Sequence, residues 1–112
     1  MKRLTVLLIL LVGLVLPGES GGYLSGFTNC PSSGNAQVST VSYFLKGLTV
    51  TANQSNTGVV YLGGASVVVS SGTPLVPLAS ASDTDNTASI NPATEYFACT
   101  VSGDGITWRG RQ

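Results

Sequence analysis

Beyond residue 37 the chain alternates apolar and polar positions with a period of two, the mark of strands that bury one face. Val41, Tyr43 and Leu45 make one such series; Leu48, Val50 and Ala52 make another, with Thr49 and Thr51 between them. Lys46-Gly47 separates the two series and predicts a tight hairpin, or a bulge in one continuous strand. Residues 59–62 are rich in branched and aromatic side chains, and residues 65–69 run extended again. Gly63-Gly64 lies between them, where positive φ is sterically free, so the stretch reads as strand, turn and strand.

Ser70 to Pro74 marks the next turn, and Pro74 and Pro77 keep Leu75-Val76 out of a central strand, because proline cannot donate to a ladder. Residues 80–92 are polar and predict a loop with at most a short edge strand. Residues 96–101 read as a strand in which Cys99 is in phase with Phe97 and Val101. Asp104-Gly105 is a turn signal, after which Ile106 to Trp108 is expected to pair back as the last strand. Residues 21–34 carry Gly, Ser, Asn and Pro with few apolar anchors, as an arm or long loop does.

The first twenty residues differ in kind. Lys2-Arg3 precedes an apolar run from Leu4 to Leu16, and small residues follow, with Gly18 and Ser20 placed for cleavage after Ser20. That is the layout of a secretory signal. The run is shorter than the roughly 20 residues a membrane-crossing helix needs, so a permanent span is the weaker reading, and an uncleaved short anchor or an apolar arm packed against a neighbouring subunit are the alternatives to a signal. Residues 1–20 are also the segment suited to membrane contact. The expected organisation is a signal-like or anchoring segment at 1–20, an arm at 21–36 and one all-β domain at 37–112. The domain is predicted to be a small antiparallel β-sandwich of about six or seven strands, from the spacing of its turns.

Charge narrows the functional classes. Five basic and five acidic residues cancel in a chain only 9% charged, which leaves no electrostatic footprint for nucleic acid. A surface so neutral is cheap to bury against other proteins, which points weakly to assembly. The chain has no histidine, which excludes Ser-His-Asp and Cys-His machinery. Four carboxylates, Asp83, Asp85, Glu95 and Asp104, are the remaining acid and base candidates for glycosidase-like chemistry. Their sequence contexts instead suggest turn capping by Asp83 and Asp85, a solvated Glu95, and an Asp104 that shapes its hairpin. Asp83-Thr84-Asp85-Asn86 offers oxygen donors but lacks the glycine and distal glutamate of an EF-hand. No cofactor, metal or small-molecule substrate is expected.

Glycine-rich residues 56–77 do not match a phosphate cradle. A P-loop needs Lys and Ser or Thr after its glycines, and a dinucleotide site needs a following helix, whereas Gly63-Gly64 leads into Ala65-Ser-Val-Val-Val. Cys30 and Cys99 have two readings: an exported chain would bridge them and pin the arm, and a chain matured in reducing cytosol would keep two free thiols.

Three segments, Thr51 through Val67, Ser71 through Pro77 and Gly103 through Trp108, resemble a pattern found in small virion proteins of tailed bacteriophages. In that pattern a polar loop leads to Gly-x-Val-Tyr-Val-Gly-Gly, then a Ser-Gly-x-Pro-Leu turn, and last a hairpin ending in an aromatic. This chain departs from it at Val76-Pro77-Leu78-Ala79 and in carrying the leader. The resemblance implies a β-sandwich that decorates a capsid or sits in a head fibre, vertex or tail structure, usually as an oligomer. It carries over no catalytic residue. The expected partners are other copies of the chain and a major virion protein, with Tyr61, Tyr96 and Trp108 as candidate interface aromatics. An exported bacterial surface or periplasmic binding module, stapled by one disulfide, is the alternative.

Overall fold

The computed structural model describes residues 22–112; the leader and its expected cleavage site lie outside the described residues. Eight strands follow one another: β1 (Tyr23–Asn29), β2 (Asn35–Gln37), β3 (Gly47–Ala52), β4 (Val60–Gly63), β5 (Thr73–Leu75), β6 (Ser80–Thr84), β7 (Tyr96–Cys99) and β8 (Gly105–Arg111). No helix occurs among the described residues. Two four-stranded sheets form, ordered β1-β8-β3-β6 and β2-β7-β4-β5, and every pair is antiparallel.

The pairing is nested. The first strand pairs with the last, the second with the seventh, the third with the sixth and the fourth with the fifth. The chain is therefore one long hairpin rolled up, with β3–β8 and β4–β7 contacts closing the two sheets. This is the winding of a jelly roll. Connections β1–β2, β3–β4, β5–β6 and β7–β8 all cross between sheets at one pole. They are tied together there: Cys30 N–H donates to Asp104 O at 2.7 Å, Asn53 N–H to Gly105 O at 3.1 Å and Leu78 N–H to Ala52 O at 2.9 Å. The opposite pole holds both ends of the described chain, where Gln112 N–H donates to Gly22 O at 3.1 Å.

The core lies between the sheets and follows the alternation of β3, β4, β7 and β8. Leu48, Val50 and Ala52 from β3 and Ile106 and Trp108 from β8 meet Val60, Leu75 and Phe97 from the other sheet. Each of the Leu, Val, Ile and Phe side chains contributes about 1.5–3 kcal/mol by leaving water. Val38 and Leu45, from the β2–β3 connection, plug the gap near the termini.

Several expectations change. The sandwich has eight strands instead of six or seven, because the segment expected as an arm supplies β1 and β2. Val41, Tyr43 and Leu45 form no strand; Leu45 is tied by an isolated bridge to Ile90 and Tyr43 N–H donates to Asn91 Oδ1, and Lys46-Gly47 is neither hairpin nor bulge but the entry to β3. Residues 65–69 do not pair with β4, whose hairpin partner is β5, and neither Gly63 nor Gly64 takes positive φ. That loop instead folds back on the outer face of the second sheet. Val67 packs close over Gly63, and Asn35 Nδ2 donates to both Ala65 O and Val67 O at 2.9 Å. β7 and β8 are not a hairpin, since they belong to different sheets. The proline reading of β5 and the edge reading of β6 agree with their places at the sheet margins.

Candidate functional site

The cross-sheet pole concentrates the polar residues that are buried. Asn56, in the β3–β4 loop, and Asp104, at the start of β8, are both buried. Asn56 Nδ2 donates to Gly105 O at 2.9 Å, and Gly105 N–H donates back to Asn56 Oδ1 at 2.8 Å. The Asp104 carboxylate accepts the backbone N–H groups of Thr57, at 3.0 and 3.2 Å, and of Gly58, at 2.9 Å. A carboxylate that accepts two loop N–H groups acts as a cap across 46 residues of sequence, not as a local turn former, which corrects the hairpin role expected of Asp104.

The Cys30 and Cys99 sulfurs are bonded, with Cα atoms 6.0 Å apart. Cys30 directly follows β1 and Cys99 ends β7, so the bond ties one sheet to the other beside the Asn56–Asp104 network.

The β3–β4 loop walls an open groove of about 1000 Å³ on the outer face of the β1-β8-β3-β6 sheet. Phe27 and Ser25 project from β1, Thr107 from β8, and Asn53, Gln54 and Ser55 from the loop. Thr107 Oγ1 donates to Asn53 Oδ1 at 2.7 Å, which orients the Asn53 amide. The Phe27 ring is 74% exposed. Beneath Gly26 sits Trp108: a side chain on Gly26 would come within 2.7 Å of the indole Nε1. Between β3 and β6 the outer face is a row of hydroxyls, with Thr49 bonded to Ser82 at 2.9 Å and Thr51 to Ser80 at 2.6 Å.

The four carboxylates are scattered, with one exception. Asp83 and Glu95 both border a cleft of about 280 Å³ at the open margin between the sheets, beside Leu48, Val50 and Leu62. Burial first, and the neighbouring Asp83 charge second, raise the Glu95 carboxyl above its ordinary value. Asp85 lies in the turn after β6, where hydroxyls of Ser89 and Thr87 and the Thr87 N–H hold its pKa at about 2. Asp85 thus caps a turn, and the Asp83 to Asn86 run does not converge on one point. Among the described residues no group of three His, Cys, Asp or Glu side chains could hold a metal ion.

The candidate interface aromatics separate. Trp108 is 5% exposed and tilted against Tyr43 with ring centroids 5.9 Å apart, so within the chain it is a core residue and not a surface anchor. Tyr61 and Tyr96 are half-buried on the outer face of the second sheet, flanking the wholly buried Ala98 and the folded-back loop. The large exposed apolar side chains are elsewhere: Tyr23 and Phe27 on β1, Val41 and Phe44 before β3, Val68 and Val69 in the folded-back loop, Val76 and Leu78 after β5, and Val101, which lies past the end of β7 and does not face the core. Alternation alone could have flagged Tyr23 and Phe27, had β1 been recognised as a strand.

No family model matches the chain, and neither a curated protein nor a solved structure matches it significantly.

Proposed function

We propose that the protein is a non-enzymatic structural component of a virus particle, a jelly roll that decorates or packs on a larger shell and associates with copies of itself. The observation that carries the reading is the nested eight-strand winding, an architecture used by viral capsid domains. The link is one of architecture, and folds host many functions, so the sequence resemblance of Thr51 to Trp108 to phage virion proteins supplies the specific prior. The exposed Phe44 and Leu78 fit association, since their burial against a partner would desolvate few charges. Mass spectrometry of purified particles, with electron microscopy of the assembly, tests the proposal; absence of the chain from particles sinks it.

A second reading, an exported bacterial surface or periplasmic module, is favoured by the Cys30–Cys99 bond together with the leader. Disulfides persist in oxidising compartments, virion surfaces included. Removal of residues 1–20 would leave every strand whole, because β1 starts at Tyr23. Intact mass and thiol titration after expression in a bacterium separate the two: a mature start at Gly21 with no titratable thiol favours export.

A further inference from the structure

Among the exposed apolar side chains Phe27 stands out by place: its ring lines the groove beside the β3–β4 loop, with Tyr23 exposed on the same face of β1. Its surroundings define the chemistry. The groove beside it carries the amides of Asn53 and Gln54 and the hydroxyls of Ser25, Ser55 and Thr107, with no ionisable side chain in its lining. One ring and several groups that both donate and accept match a ligand with an apolar ring face and a rim of hydroxyls. A peptide side chain would find one apolar surface and no enclosing pocket, and a phosphate would find no cation. Along the same face, however, Ser25 neighbours Arg109 and Tyr23 neighbours Arg111. The Arg109 guanidinium lies 4.4 Å from the Tyr23 ring centroid, and the hollow lined by these residues includes two arginines against one carboxylate, Asp83.

We propose that this face binds an acidic polysaccharide. Phe27 is the platform on which one sugar ring stacks, the β3–β4 loop amides and hydroxyls accept and donate to its hydroxyls, and Arg109 pairs with an acidic substituent on a neighbouring sugar. The loop contributes affinity by being ordered in advance: Asn56 and Asp104 already hold it against β8, so little conformational freedom is lost on binding. The inference goes beyond the structural role above and holds for a chain on a virion or on a cell surface.

The chain contains one tryptophan, and it lies on the inner face of the sheet directly under Gly26, a residue of the groove lining, which provides the readout. The full-length protein is titrated with oligosaccharides of a uronic-acid polysaccharide and with glucan oligosaccharides of equal length, following Trp108 fluorescence and backbone amide shifts. The expected result is saturable binding with shifts centred on β1, β8 and residues 53–55, and an advantage for the acidic series that shrinks as salt is raised. Phe27→Ala weakens binding by about tenfold or more and leaves the fold intact, because the ring is exposed; Gln54→Ala, in the loop, serves as a second variant. Arg109→Gln abolishes the preference for the acidic series. Absence of a saturable response to either series, or undiminished binding by both Phe27→Ala and Gln54→Ala, overturns the proposal. Equal affinity of wild type for the two series overturns the part assigned to Arg109.

Discussion

Asn56 and Gly105 hold each other by two reciprocal hydrogen bonds, the Asn56 amide donating to the Gly105 carbonyl and accepting from its N–H, at 2.9 and 2.8 Å. The amide side chain thus imitates a neighbouring strand at the point where β8 begins. Position 105 has no room for a side chain on its other flank: a Cβ there would lie 2.9 Å from Asn53 Nδ2 and 3.0 Å from Thr28 O. Asn56→Ala leaves the buried Gly105 N–H without its acceptor and should cost about 2–3 kcal/mol. Urea unfolding with an unchanged m-value checks this.

Cleaving the Cys30–Cys99 bond releases a span of 69 residues in the unfolded chain. In the chain-entropy view the loss is about 4 kcal/mol, within the usual range for native disulfides. Denaturant melts of the reduced protein and of the Cys30→Ser, Cys99→Ser double variant should agree with each other, and both should fall about 4 kcal/mol below the oxidised protein. The m-value should rise on reduction, since the unfolded chain then exposes more surface.

Gly26→Ala places a methyl against the Trp108 indole, at 2.7 Å from Nε1. Either the ring or the β1 edge must move, at a cost of about 1–3 kcal/mol. The expected signature is a lower melting temperature accompanied by a red shift of Trp108 emission, as water reaches the indole.

Glu95 and Asp85 should give pH dependences of opposite sign. The Glu95 pKa is raised in the folded state from 4.5, so stability falls as pH climbs from that value through the folded one. Glu95→Gln should therefore be more stable than wild type near about pH 7 and no more stable near about pH 3.5, with the gain reduced by solvent screening of a partly exposed group. Asp85 is depressed from 3.8 to about 2; its contribution is present above the higher value and is lost as pH falls through the lower. Carboxyl carbon shifts followed by NMR titration distinguish the two groups.

How much of this was legible in the sequence can be argued strand by strand. The alternation of Leu48, Val50 and Ala52 and the phase of Cys99 with Phe97 were readable because their inward positions are apolar. β1 was not, because its pattern is inverted. Tyr23 and Phe27 face solvent, and Gly26 and Thr28 face inward, where Trp108 fills the space a larger residue would occupy. The turn expected at Asp104-Gly105 falls just before, with its positive φ at Gly103 and Gly105 already in β8, and a turn signal does not say whether the next strand stays in its sheet or crosses to the other. Nor could local spacing show that Asp104 caps Thr57 and Gly58, or that Asn53 and Phe27 share one groove, since these are contacts between distant segments.

The rolled hairpin also fixes an orientation. With β1 paired along its whole length to β8, Gly22 and Gln112 leave the domain side by side at one pole, and the β3–β4 loop with its groove wall lies at the other. Whatever is joined to either end of the domain, a membrane, a shell or a fused protein, would hold the molecule by its foot. The Phe27 face and the disulfide-braced loops would then stand away from the attachment, presented to whatever the particle or cell meets.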